Sequence, residues 1–259
     1  MLLLRSALFN VAFYVNIVLW ALLCAPALLM PRRAAMTIVQ AWCRSSLWLT
    51  RRVAGIRVEV RGLERIPPGG LLVASKHQSF LETFALIAVL DDPAFILKRE
   101  LMWIPFVGWF LAKIGMVPID RGARSLALVE MNRRARAEVA KGRQILIFPE
   151  GTRRQPGAEP AYKYGVAHLY RSLEVPCVPV ALNAGLFWPR RSFVRRPGTV
   201  VIEFGEPIPP GLDRDVAFAE IRTRIETGSR RLLADAATAG GELPSASAEE
   251  ASAGPRASS

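Results

Sequence analysis

Only two histidines and three cysteines occur in 259 residues. The cysteines, Cys24, Cys43 and Cys177, stand far apart and are odd in number. They offer neither a disulfide framework nor the paired spacing of a zinc site, so no metal is expected, and their scarcity suits a reducing, cytosolic setting for the globular part. A Gly-x-Ser-x-Gly elbow is missing, which removes the usual serine nucleophile. Helix-turn-helix, zinc-finger and RNA-binding aromatic motifs are missing too, so no nucleic-acid partner is expected. Internal repeats are absent. Acidic residues are few: 22 Asp and Glu stand against 34 Lys and Arg, a net charge of +12. Such an excess calls for an anionic partner, and a membrane surface bearing anionic lipids is the expected one.

What is abundant is apolar: hydrophobic residues make up 51% of the chain. Much of the excess lies at the N-terminus, where no charge occurs from Ser6 to Met30. That run exceeds the roughly 20 residues needed to cross a bilayer core. Ala25-Pro26-Ala27 resembles a signal-peptide cleavage site, but the run is too long for such a segment and only Arg5 precedes it, so a retained membrane segment is expected. Arg32, Arg33, Arg44, Arg51 and Arg52 outnumber Arg5, which predicts that the rest of the chain lies on the cytoplasmic side of the inner membrane. Residues 34–50 mix Trp42, Leu47 and Trp48 with Gln40, Arg44 and Ser45. This reads as an interfacial helix with tryptophans at headgroup level, the alternative being a core helix of the globular domain. Together the two segments would also suit a hairpin dipping into one leaflet.

From Arg51 onward the pattern alternates. Strand-like runs fall at 56–60, 71–75, 94–97, 115–118, 144–148, 176–182 and 199–204, and helical runs at 79–90, 125–141 and 216–234. Alternation of this kind predicts an α/β fold, with a mixed, largely parallel sheet covered by helices on both faces. Residues 236–259 are Ala, Ser, Gly, Glu and Pro with almost no large apolar side chain, and read as a disordered tail. The expected division is 1–50 as a membrane-anchoring segment, 51–235 as the globular domain and 236–259 as the tail.

Two motifs stand just after strand-like runs, where open α/β sheets present chemistry. In Lys76-His77-Gln78-Ser79-Phe80-Leu81-Glu82, an imidazole and a carboxylate stand five residues apart. His is the usual general base near neutral pH. Ser79 and Glu82 also spell a capping box, so Glu82 has a purely structural reading as well as a role in holding an imidazole nitrogen. In Phe148-Pro149-Glu150-Gly151-Thr152-Arg153, Gly151 permits a sharp turn and Arg153 offers a forked donor suited to phosphate. His168 reads as structural.

These motifs resemble those of the glycerophospholipid acyltransferases, most nearly the bacterial 1-acyl-sn-glycerol-3-phosphate acyltransferases. The first family block is His, four residues, then Asp; here it is His77 to Glu82, and Glu keeps the charge while adding one methylene. Block two is resembled by Lys98-Arg99-Glu100-Leu101 through Ile104-Pro105-Phe106-Val107-Gly108 to Ile119-Asp120-Arg121. Block three is matched by Phe148 to Arg153, and block four is resembled by Val175 to Ala181. Tyr162-Lys163-Tyr164-Gly165 resembles the family's segment after the third block.

The resemblance implies a glycerol-3-phosphate acyltransferase-like fold and transfer of a fatty acyl group from a thioester to lysophosphatidate. His77 would be the base and Glu82 its orienting partner. Lys98, Arg121 and Arg153 would bind the acceptor phosphate, with Glu150, Gly151 and Thr152 shaping that pocket. Block four would sit in the sheet and line the acyl site. No cofactor is implied beyond the co-substrate, acyl-CoA or acyl carrier protein. Other lyso-acceptors, lyso-ornithine lipid among them, stay open. So does a non-enzymatic, membrane-anchored basic binding protein, which would release no thiol from a thioester.

Overall fold

The computed structural model describes residues 1–120 and 124–238, with side chains omitted for 124–127. Seven strands form, one at each run expected to be extended: β1 (Ile56–Arg61), β2 (Leu71–Ser75), β3 (Pro93–Lys98), β4 (Val117–Ile119), β5 (Gln144–Ile147), β6 (Cys177–Leu182) and β7 (Gly198–Phe204). They build one sheet in the order β1-β7-β6-β2-β5-β3-β4. β6, β2, β5, β3 and β4 are parallel to one another, β7 is antiparallel to β6, and β1 is parallel to β7. The mixed, largely parallel sheet is therefore present.

Parallel neighbours cannot be joined by a tight turn, so helices carry the crossovers. α1 (Leu2–Leu23) and α2 (Arg32–Leu49) precede the sheet. α3 (Leu81–Val89) and α4 (Val107–Lys113) flank β3, and α5 (Arg124–Val139), α6 (Gly165–Leu173) and α7 (Arg214–Thr238) come later along the chain. β2 is buried along its whole length. The period of two divides its side chains between layers: Leu71 and Val73 enter one core cluster with α2 and α3, Leu72 and Ala74 another with α6 and α7.

Several boundaries and packings differ from expectation. Ser79 does not open a helix: its Oγ accepts the Leu81 N–H at 3.2 Å, and α3 begins at Leu81. β4 starts at Val117 rather than at Gly115, because Gly115 has a left-handed backbone (φ 72°). Residues 34–50 pack on α3 through one face, as the core-helix alternative expects, while Trp48 is exposed. Met36 and Cys43 are buried, and Gln40 Nε2 donates to the carbonyls of Ile87, Leu90 and Asp91, so its polar group is satisfied by backbone. Residues 236–238, expected in the tail, continue α7, while 239–259 lie outside the described residues.

α1 is long and apolar enough to cross a membrane, with a mean hydropathy of 1.8, and it supports membrane association. Only 17% of its most apolar window is buried. The buried stripe is Ser6, Phe9 and Phe13. Phe9 and Phe13 pack edge-on against Trp188, and Phe13 also meets Phe80 and Phe84. Each fully buried aromatic contributes about 1.5–3 kcal/mol, enough to fix the helix to the sheet domain. Residues from 1–50 thus share one continuous core with β1, β2 and β6. At the join, Arg5 Nε donates to the Val53 carbonyl at 2.7 Å. Gly55 beside it has a left-handed backbone (φ 66°), a conformation that favours glycine.

Candidate active site

Because β2, β5 and β3 are adjacent and parallel, their C-terminal ends open at the same edge of the sheet. β2 runs out into Lys76-His77, β5 into Phe148 to Arg153, and β3 ends at Lys98.

His77 Nδ1 lies 2.9 Å from Glu82 Oε1. The same carboxylate oxygen accepts the N–H groups of Gln78 and Ser79, each at 2.7 Å, and Glu82 is fully buried. Both readings of Glu82 therefore hold at once: it closes the turn ahead of α3, and it fixes the imidazole. A carboxylate on Nδ1 assigns the proton to that nitrogen and leaves Nε2 as the basic lone pair. With Glu in place of the family's Asp, the carboxylate still reaches the imidazole. Phe148 stacks on the imidazole, with ring centroids 4.0 Å apart at 17°, which restricts its rotation.

Lys76, the residue before the base, turns away from it into the core. Its Nζ contacts Glu150 Oε1 at 2.9 Å and Glu226 Oε1 at 2.6 Å, and the Tyr162 hydroxyl donates to the same Glu226 oxygen at 2.9 Å. Burial and Glu226 push the Tyr162 hydroxyl well above its ordinary value, so it remains a donor. Glu150 Oε2 accepts the His77 N–H at 3.1 Å. Both Glu150 oxygens are thus engaged by the segment carrying the candidate base, and Glu150 fixes the backbone at His77. Sequence reading assigned Lys76 and Glu226 no role. The signal for Lys76 was its position at a strand end beside His77, whereas Glu226 lies on α7, 150 residues away, and nothing local marks it.

Gly151 adopts φ 66°, making the expected sharp turn. Thr152 is exposed and Arg153 half-buried beyond it. Arg154 N–H donates to the His77 carbonyl at 2.8 Å, which ties this turn to the base. Lys98 is exposed and paired with Glu100 at 2.8 Å. Arg121 lies outside the described residues. His168 sits on α6 beside Tyr164 and Arg214, away from the β2 and β5 strand ends.

An apolar cavity of about 170 Å³ lies between α1, α2, α3 and α4, lined by Ile17, Trp20, Trp42, Phe80, Phe110 and neighbouring side chains. Phe80 belongs to the loop that carries His77. Block four does form β6 in the sheet, but it does not line this cavity, because its side chains are buried among the core layers. Cys43 and Cys177 are buried, and burial pushes both thiols far above their ordinary range, which disfavours a thiolate nucleophile.

The comparisons agree with this geometry. A family model described as Acyltransferase matches residues 57–183. A 1-acyl-sn-glycerol-3-phosphate acyltransferase of Pseudomonas aeruginosa is 38% identical over 235 residues, covering 89% of this chain and 91% of that protein. The chain belongs to the 1-acyl-sn-glycerol-3-phosphate acyltransferase family. The human 1-acyl-sn-glycerol-3-phosphate acyltransferase alpha is 36% identical to this acyltransferase over 132 residues, 50% of this chain and 47% of that one. In fold, the acyltransferase matches the crystal structure of the 1-acyl-sn-glycerophosphate acyltransferase of Thermotoga maritima with a TM-score of 0.77, covering 90% of this chain and 98% of that chain at 22% identity.

Proposed function

We propose that this enzyme transfers a fatty acyl group from a thioester donor to the sn-2 hydroxyl of lysophosphatidate, giving phosphatidate and a free thiol. One observation carries the mechanism: His77 Nδ1 is held at 2.9 Å by a buried carboxylate, at the strand edge that also bears the Gly151 turn. Nε2 takes the proton of the acceptor hydroxyl as its oxygen attacks the thioester carbonyl. The tetrahedral intermediate then expels the thiolate, which receives that proton from His77. Glu82 holds the tautomer and stabilises the imidazolium between the two transfers. Atoms and charge balance without a metal or cofactor, and the donor is acyl-CoA or acyl carrier protein. Lys98, Arg121 and Arg153 bind the acceptor phosphate, with Gly151 and Thr152 shaping its approach. The apolar cavity beside Phe80 takes an acyl chain. The domain works at the cytoplasmic face of the inner membrane, where α1 and the basic surface meet anionic lipids.

Purified protein with lysophosphatidate and either donor should release thiol to a chromogenic trap, and no release with both donors would refute the reading. Glu82→Gln keeps the side-chain length and a carbonyl for the turn ahead of α3 but removes the charge. It should lower turnover strongly at a similar melting temperature, whereas full activity would leave Glu82 as a cap alone.

A further inference from the structure

Two arginine pairs converge beside the candidate base. Arg153 and Arg154 stand just past the Gly151 turn, while Arg190 and Arg191 come from the segment between β6 and β7. Arg190 Nη1 donates to the Arg153 carbonyl at 3.0 Å, and the next residue, Arg154, is hydrogen-bonded to the His77 carbonyl at 2.8 Å. Among the described residues, none of the four has a carboxylate within ion-pair distance. Arg154 Nε is buried with no acceptor. Partial burial and then the repulsion of Arg191, Arg153 and Arg154 pull the Arg190 guanidinium below its ordinary value. Like charges held this close, partly out of water, are costly until an anion joins them.

The position of the cluster says how the anion arrives. The segment carrying Arg190 is fastened to α1: Asn10 Nδ2 donates to the Phe193 carbonyl, Ser6 Oγ accepts the Arg195 N–H at 2.9 Å, and Trp188 packs on Phe9 and Phe13. A headgroup delivered along the apolar helix meets these arginines at the same edge as His77.

We propose that Arg190 is a further guanidinium for the acceptor phosphate, working beside Arg153, and that it makes the site prefer a phosphate monoester over a phosphodiester headgroup. This rests on the acyl-transfer reading above. A monoester carries about −1.5 to −2 charges at neutral pH and three acceptor oxygens. One arginine fork occupies two oxygens and neutralises one charge, so the third oxygen of a monoester leaves room for a fork from the neighbouring Arg190 beside that of Arg153. A diester carries one charge, and its extra substituent occupies the oxygen that the second fork would take.

The test is equilibrium binding of lysophosphatidate and of lysophosphatidylglycerol to the full chain in mixed micelles without acyl donor, with donor binding measured separately. Arg190→Gln should weaken lysophosphatidate by roughly 10- to 100-fold, the span of one charge-assisted hydrogen bond. Lysophosphatidylglycerol and the donor should move by no more than about threefold, the low end for a neutral hydrogen bond. Arg190→Lys should fall between, retaining charge without the fork, which separates loss of recognition from loss of fold. Arg57→Gln, an exposed arginine on β1, should bind as the parent does. Equal weakening of both lipids would reduce Arg190 to a general attraction for acidic surfaces and overturn the proposal. Unchanged lysophosphatidate binding, or weakening of the donor alone, would overturn it as well. Because binding is read without turnover, the two readings fail separately. A parent enzyme that prefers the monoester but releases no thiol sinks the acyl-transfer reading only. An active enzyme whose Arg190→Gln form binds normally sinks this one only.

Discussion

Both edges of the parallel sheet pair their buried charges, Lys76 with Glu150 and Glu226 at one and Arg143 with Asp92 and Glu138 at the other, but they differ in the arginines around them. At the amino ends of the strands, Arg143 is completely buried and all its donors are used. Nε reaches Asp92, Nη1 reaches Glu138 and the Gly115 carbonyl, and Nη2 reaches the carbonyls of Pro93 and Ile114. Arg32 adds a two-pronged contact to Asp92, drawing α2 onto the same point. At the carboxyl ends, Arg153, Arg154, Arg190 and Arg191 gather with no carboxylate among the described residues, next to a histidine whose outer nitrogen has no protein partner there. A closed network stabilises the protein on its own. An open one gives up stability for a ligand still to come. The candidate base and the unpaired arginines share the carboxyl edge.

Mutations should separate the two edges. The largest effect is expected from His77→Ala, which removes the base and should lower turnover by about 10²–10⁴-fold with a near-parental melting curve. Near-normal turnover would break the assignment of chemistry to this edge. Arg143→Leu should do the reverse. It strands Asp92 and Glu138 beside an apolar side chain, and removing one partner of a buried ion pair costs about 3–5 kcal/mol. Denaturant midpoints should fall while turnover per folded molecule stays close to the parent. A smaller effect is expected from Arg153→Ala, which should raise the apparent KM for lysophosphatidate about 10- to 100-fold and spare that for the donor. Movement of the donor constant alone would place Arg153 in the other half of the site.

Acid should sharpen the contrast further. Burial by itself would raise the Asp92 carboxyl, but Arg32 and Arg143 more than offset this and hold it below the ordinary carboxylate range; Glu138 is held down in the same way by Lys141 and Arg143. Groups with a depressed folded-state pKa contribute stability above their unfolded value and lose it as pH falls through the folded one. The parent should therefore lose stability steadily below about pH 4. Arg143→Leu loses the part of that contribution that Arg143 supplies and keeps the part from Arg32 and Lys141, so its acid slope should be shallower but not flat.

The strands were legible because each is a short apolar run bounded by turn residues, and β2, buried on both faces, is apolar throughout. The base and its carboxylate were legible because they are local: five residues apart, joined by a turn that the capping signature already implied. α4 was not, since it opens at Phe106 with φ 62°, a backbone no propensity rule selects, and Gly108 is pressed against the Met102 carbonyl by tertiary packing. The packing of α2 on α3 was not legible either, because it rests on Gln40 reaching backbone carbonyls 47 to 51 residues away. Glu226 and Arg190 escaped for the same reason. The Arg190-Arg191 pair was visible as a sequence feature, but only the fold brings it against Arg153.

The fastening of α1 also has a consequence in time. Ser6 bonds to a residue 189 positions later, and Asn10 to one 183 later. At roughly 5–20 residues per second, the usual pace of synthesis, the first helix waits roughly ten to forty seconds for the segment that covers its aromatic stripe. During that interval Phe9 and Phe13 lack Trp188, and a strongly apolar helix left in water is an aggregation hazard. The bilayer is the solvent that can hold it.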